Sequence, residues 1–232
     1  MEQFVKDCKI TSNFQNGLDV GCGAGLSTKA LRLICDRVTG TDISEQMIQV
    51  CQEEYKNDKA YTFYRAKAEE TKEPVEKYDI VTAAGMVNWV DRDLFLRNMG
   101  CVLRDQGILL IYDFWITDKM QGNDSYTNWY QNEYLKRFPK PPRNETIWKQ
   151  EELPDDFQIK NQITYELAYD FSMEQFIDFM MIQSNVNIKL ESGAVNEKNA
   201  RDWLKKSLTP VFENREKTLY FKGYNWYIYK LG

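Results

Sequence analysis

The run Leu18-Asp19-Val20-Gly21-Cys22-Gly23-Ala24-Gly25-Leu26 constrains this chain more than any other stretch. Leu18 to Val20 read as the end of a short buried strand. A helical pattern follows at once, with Leu26, Ala30, Leu31, Leu33 and Ile34 on one side. Glycine at 21, 23 and 25 lets the backbone bend sharply and lets a ligand approach the main chain with no Cβ in the way. The bend opens onto a helix N-terminus, whose free N–H groups attract an acidic group.

A dinucleotide fingerprint would place its third glycine three positions after the second, where this chain has Leu26. The third glycine comes early instead, as Gly25, and Asp19 precedes the first by two residues. A carboxylate there has the wrong sign for a pyrophosphate and suits a ligand carrying an ammonium group. The nicotinamide or flavin oxidoreductase reading is disfavoured on both counts.

Further strands follow at regular spacing. Val38 to Thr41 is one, ended by Asp42; Tyr61 to Arg65 is rich in β-formers; Asp79 to Ala83 and Ile108 to Ile111 are buried runs. Helices are expected after Ser44, an N-cap candidate with Glu45 in the first turn, and after Asp91, which can cap the segment holding Leu94, Phe95, Val102 and Leu103. Strands alternating with helices imply a doubly wound, mostly parallel α/β sheet of Rossmann-like form, with ligands at the carboxyl ends of its strands.

Asp19-Val20-Gly21-Cys22-Gly23-Ala24-Gly25 resembles the first motif of the class I S-adenosylmethionine-dependent methyltransferases. The resemblance implies that the glycine loop passes under the methionine and ribose of that cofactor, with Asp19, Gly21, Cys22, Gly23 and Gly25 around it. It implies that Asp42 holds the ribose hydroxyls, that Ile43 and Met47 pack on the adenine, and that Ala68 and Glu69 meet its edge. From the residues alone, Ile43 and Met47 are equally ordinary core, Glu69 a solvated surface acid, and Cys22 a small packing residue. Ala84 to Asp91 resembles the family's fourth motif, which implies that Ala83 and Met86 face the transferable methyl group. Asn88, Trp89 and Asp113 are then the substrate-side candidates. Asn88-Trp89 stands where some relatives acting on small acids carry His-Trp, and the acid-or-Asn-Pro-Pro-aromatic signature of nucleic-acid amino methyltransferases is absent.

Beyond Asp113 the alternation breaks. The expected division is a cofactor-binding core over 1–113, a cap or lid insertion over 114–162, and completion of the same α/β domain over 163–232. The insertion holds an aromatic helix (Tyr126, Trp129, Tyr130, Tyr134, Phe138) whose rings either line a substrate pocket or form a small core of their own. Strand and helix patterns follow at Ile163–Phe171, Ser172–Gln183 and Asn196–Val211. Thr218–Phe221 and Tyr224–Tyr229 then read as an antiparallel hairpin turning at Lys222-Gly223.

Composition narrows the chemistry. No stretch is long and apolar enough for a membrane span, and no leader pattern opens the chain. Five cysteines with no metal-type spacing suggest reduced thiols in the cytoplasm and no metal site. A net charge of −5 argues against a nucleic-acid partner. The basic residues Lys136, Arg137, Lys140 and Arg143, set among prolines, are either a solvated loop or a docking patch for an anion. The chain has no histidine, so any mechanism must work without imidazole. A carboxylate acceptor, already ionised at neutral pH, or a neutral amine needs no general base. The reading is methyl transfer from S-adenosylmethionine to a small molecule, with a non-catalytic cofactor-binding or interaction protein on the same fold as the alternative. Oligomeric state is not legible.

Overall fold

A computed structural model describes residues 1–70, 76–145 and 147–232. Seven strands, β1 (Phe14–Val20), β2 (Cys35–Asp42), β3 (Tyr61–Arg65), β4 (Tyr78–Ala84), β5 (Leu103–Met120), β6 (Phe157–Phe171) and β7 (Lys217–Lys230), form one sheet in the order β3-β2-β1-β4-β5-β7-β6. The five strands from β3 to β5 in that order pair in parallel, and the antiparallel element is supplied by β5-β7-β6. Contacts divide the chain into two compact units: residues 1–113, 144–163 and 224–232, and residues 114–143 with 164–223. This grouping follows contacts, whereas the expected segments 1–113, 114–162 and 163–232 follow chain order.

In the first unit, alternation along the strands sends side chains to two faces. Val81 and Ala83 of β4 and Leu109 and Ile111 of β5 join one core with Leu18, Val20 and the apolar side of α4 (Arg92–Val102). Ile80, Ile108 and Leu110 join the other core with Val38, Phe4 of α1 (Glu2–Asp7) and Leu31 of α2 (Leu26–Arg32). Helix α3 (Glu45–Glu54) packs Ile48 and Cys51 on Cys22 and Phe63. Ser44 and Asp91 cap α3 and α4 as the sequence suggests, accepting from the Met47 and Leu94 N–H groups.

The second unit is helical around the remaining strand segments. Phe176 and Met180 of Met173–Met181 and Leu204, Leu208 and Phe212 of Glu197–Phe212 form its core with the aromatic segment. That segment is α-helical over Asp124–Trp129, a π-turn over Tyr130–Tyr134 and α-helical again over Leu135–Arg137. All five rings singled out from the sequence are buried there, packed on one another and against Phe176 and Trp203. They form a core, and the pocket-lining alternative is set aside.

Two sequence readings are corrected. Leu26 and Leu33 are 81% and 71% exposed, because α2 ends at Arg32 and turns Thr28 and Leu31 inward. The hairpin at Lys222-Gly223 is instead one extended strand. Its first half packs Leu219 and Phe221 into one core and its second half packs Trp226, Tyr227 and Ile228 into others, with β5 and β6 as neighbours on its two sides. Strand β5 carries an irregularity at Arg104–Gly107: pairing jumps from Tyr78↔Leu103 to Ile80↔Ile108, with Gln106 at φ 62°.

Candidate functional site

Register places the chemistry on one edge of the sheet. Val20 lies opposite Thr41 on β2 and Ala83 on β4, Asp42 opposite Arg65, and Ala84 opposite Tyr112. Gly21, Asp42, Ala66 and Gly85 therefore fall at the carboxyl ends of neighbouring strands, level with Asp113, which follows the last β5 residue paired with β4. The chain reverses its direction of strand addition between β1 and β4, the switch point at which open α/β sheets form a crevice.

The glycine bend is built for close approach. Gly21, Gly23 and Gly25 have φ of 67°, 51° and 88°, which disfavour a side chain. A Cβ on Gly21 would stand 2.8 Å from Met86, whereas one on Gly23 would meet nothing within 4 Å. The Cys22 N–H donates to the Thr41 carbonyl and the Gly25 N–H to the Cys22 carbonyl, both at 2.9 Å. Asp42 is fixed on both sides: Oδ2 accepts from the Gly23 N–H at 2.9 Å and Oδ1 from the Ser44 N–H at 2.8 Å. Each oxygen keeps a lone pair for a hydroxyl donor.

A cavity of about 590 Å³ opens on this edge, within the range of small-molecule sites. Gly21, Asp42, Ile43, Ala68 and Glu69 line it from β1, β2 and the turn after β3. Ala84, Gly85, Met86, Trp89 and Val90 line it from β4 and the loop beyond. Ile43 and Trp89 are 60% and 48% exposed, an apolar surface beside the Asp42 carboxylate. Glu69 is anchored by accepting from the Asp91 N–H at 3.1 Å.

The other sequence candidates sit elsewhere. Asp19 is wholly buried, and its carboxylate accepts three hydroxyls: Ser27 Oγ at 2.6 Å, Thr28 Oγ1 at 2.7 Å and Thr82 Oγ1 at 2.8 Å. Burial lifts this carboxyl above the usual carboxylate range, against the pull of those three bonds. It braces the first turn of α2 against β4. Cys22 packs in the core formed with α3, and burial raises its thiol, so it stays protonated. Ala83 is fully buried and its neighbour Ala84 reaches the cavity instead. Gly23, Gly25 and Met47 flank the cavity residues in sequence without being among the lining side chains. Asn88 offers its carbonyl to the Asn144 N–H at 3.1 Å. Asp113 lies by Gly85, with Oδ1 3.3 Å from where a Cβ there would stand.

Sequence reasoning did not single out Thr82, Ser27 and Thr28 around Asp19, nor Gly85 at φ 65°. The signal for Thr82 is a polar residue inside the apolar run Asp79-Ile80-Val81-Thr82-Ala83. Among the described residues no cluster of three or more Cys, Asp or Glu side chains is arranged to hold a metal ion, and no helix is long and apolar enough to cross a membrane.

Sheet order, switch point and glycine bend together define the class I methyltransferase fold. Residues 18–111 match the family described as a methyltransferase domain. Among curated relatives, the chain is 29% identical over 116 residues to the ubiquinone biosynthesis O-methyltransferase of Pelagibacter ubique, covering 47% of this chain and 48% of that one. It is 32% identical over 120 residues to the ubiquinone/menaquinone biosynthesis C-methyltransferase UbiE of Escherichia coli, covering 49% and 48%. The chain thus spans about half the length of the curated relatives it matches. A solved structure of a provisionally assigned type II methyltransferase from Anaeromyxobacter dehalogenans shares the fold, with a TM-score of 0.67 and 20% identity over 94% of this chain and 89% of that one. Residues 18–111 are thus similar in sequence to a methyltransferase domain, and the chain has the Rossmann-like fold of methyltransferases.

Proposed function

We propose that the chain is an S-adenosylmethionine-dependent methyltransferase acting on a small-molecule acceptor, with its cofactor seated in the 590 Å³ cavity. The observation that carries this is the Asp42 carboxylate, held by two backbone N–H groups on the cavity wall beside exposed apolar Ile43. A carboxylate with a free lone pair on each oxygen suits two vicinal ribose hydroxyls, and Ile43 and Ala68 suit a flat heteroaromatic ring. Gly21 lets the nucleoside side of the ligand approach the main chain, and Met86 closes over it from the β4 side. Asp19 acts one layer below, keeping the glycine loop and α2 in register with β4. The remaining candidates, Cys22, Gly23, Gly25, Met47, Glu69 and Ala83, shape or support the same pocket, and Asn88, Trp89 and Asp113 stand on the acceptor side.

The bound cofactor would supply an electrophilic methyl group on a positive sulfur. The protein's part is to hold both partners together and exclude water, worth several kcal/mol as proximity alone. A carboxylate or neutral amine acceptor fits a chain with no histidine. A reducing, cytoplasmic setting accords with five unpaired cysteines.

Isothermal titration with S-adenosylhomocysteine tests the reading. Asp42→Ala should weaken binding by about 1–3 kcal/mol, the value of charge-assisted bonds to two hydroxyls. Unchanged affinity would refute the assignment. Tight binding with no methyl transfer from radiolabelled cofactor to any of a panel of carboxylates, amines and phenols would select the non-catalytic alternative.

A further inference from the structure

A second cavity, about 520 Å³, shares Val90 with the first as a wall residue. Asp91, Arg92 and Asp93, where α4 begins, line it together with Asn144, Trp148 and Glu152. Its chemistry is dominated by Arg92. The guanidinium lies over the Trp148 ring, 5.3 Å from Cζ to the ring centroid, and Nη2 donates to the Asn144 carbonyl at 3.1 Å. An arginine has five N–H donors. Nε of Arg92 is buried without an acceptor, and no carboxylate lies within ion-pair distance of this side chain among the described residues. Trp148 is 2% exposed, and its Nε1 is likewise a buried donor without a partner.

Buried donors in folded proteins are normally satisfied, because leaving one unpaired costs about 1–3 kcal/mol. Arg92, on the wall of this cavity, makes no ion pair of its own among the described residues and feels only the more distant charge of Glu152, so it is complementary to an incoming carboxylate. The contact with Trp148 and the bond to the Asn144 carbonyl already restrain the guanidinium, so less side-chain freedom remains to be lost when a carboxylate arrives. The same wall carries Asp91, Asp93 and Glu152. Asp91 is committed to the Leu94 N–H and Glu152 to the Lys149 N–H, while Asp93 is exposed and makes no hydrogen bond among the described residues. A simple anion would meet one cation and three acids there. A ligand with a positive group as well as a carboxylate satisfies both.

We propose that this second cavity recognises the methyl acceptor and that the acceptor is a small zwitterion of the amino-acid class. Its carboxylate lies on Arg92 and Trp148 and its ammonium faces Asp93 and Glu152. That ammonium passes one proton to a wall carboxylate, so that the freed nitrogen lone pair takes the methyl group as the sulfur–methyl bond breaks and S-adenosylhomocysteine leaves. The inference rests on the cofactor reading above, since it makes Val90 and Asp91 the partition between cofactor and acceptor.

The test is calorimetric titration of the full chain, with and without saturating S-adenosylhomocysteine, using glycine, serine, glutamate, methionine and tyrosine, and the N-acetyl and amide derivatives of each. At least one free amino acid should bind, and both of its derivatives should bind at least about tenfold more weakly, as expected when a charge-assisted contact is removed. Arg92→Gln should abolish the binding. Asp93→Asn, a change at an exposed side chain with no bond to lose, should weaken it at least about fivefold by removing one such contact while leaving S-adenosylhomocysteine affinity unchanged. An N-acetyl derivative binding as well as its parent would overturn the zwitterion. So would absence of amino-acid binding to a chain that binds S-adenosylhomocysteine, and the cofactor reading would then stand alone. Absence of both would sink the two readings together.

Discussion

Asp19 offers the sharpest test of how the glycine bend is held. Removing its carboxylate by Asp19→Ala deprives three hydroxyls of their acceptor. They are not equal. Ser27 is half-buried and can turn to water, and Thr82 Oγ1 has a fallback in the Leu18 carbonyl at 3.4 Å. Thr28 is fully buried, and of the three it has least recourse. One to two stranded hydroxyls at about 1–3 kcal/mol each, plus the void left by the carboxyl and less the relief of a buried charge, give a net loss of about 2–4 kcal/mol. Asp19→Asn keeps the shape and much of the bonding and should cost less than about 2 kcal/mol.

The two variants also separate in pH. Because burial raises the Asp19 carboxyl in the folded state, folding favours its protonated form. The stability it contributes is complete below the unfolded value, near 4, and is lost as pH rises through the higher folded value. Wild type should therefore gain on Asp19→Asn as pH falls from about 7 to about 4, since only wild type carries this titration. Urea unfolding of the three proteins at both pH values measures it. Equal midpoints for Asp19→Ala and wild type would refute the brace. A wild-type-to-Asn difference that stays flat or shrinks on acidification would refute the burial argument.

Two further substitutions probe packing. A Cβ on Gly40 would stand 2.6 Å from two Phe63 ring carbons and 3.1 Å from Cys22 Sγ, with Tyr55 and Tyr61 crowding the ring. Gly40→Ala should cost about 1–3 kcal/mol in urea unfolding and weaken S-adenosylhomocysteine binding through Cys22; a silent variant would contradict the packing. In the second unit, buried Asn185 donates to the Phe138 carbonyl at 2.7 Å and accepts from the Tyr134 hydroxyl at 3.1 Å. Asn185→Leu strands both groups and should lower stability by about 2–4 kcal/mol by denaturant titration followed through tryptophan fluorescence, and a loss below about 0.5 would mean the pair contributes little.

Much of this geometry was legible locally. Asp42 follows from a β-forming run ended by an acid, and Ser44 and Asp91 announce their helices because a cap is a contact between near neighbours. What escaped depends on partners far along the chain. Thr28 reads as a surface residue until Asp19 takes its hydroxyl, and that bond turns α2 so that Leu26 faces outward. Lys222-Gly223 carries the local chemistry of a turn, yet it lies within strand β7, with separate apolar cores claiming the residues before and after it. The aromatic segment was recognised, but Tyr134 finds Asn185 and Trp129 finds Trp203 only in three dimensions. Arg92 stacking on Trp148 left no trace in either residue's neighbourhood.

The clamping of Asp42 by Gly23 and Ser44 has an implication for how such a site evolves. Its rotamer is chosen by the main chain before any nucleoside arrives, so recognition there is a property of backbone shape as much as of charge. Lengthening the side chain by a single methylene, as glutamate would, keeps the sign yet pushes the carboxylate past both N–H groups that hold it. Drift at this position is thereby tied to drift in the glycine loop, and the two can change only in concert.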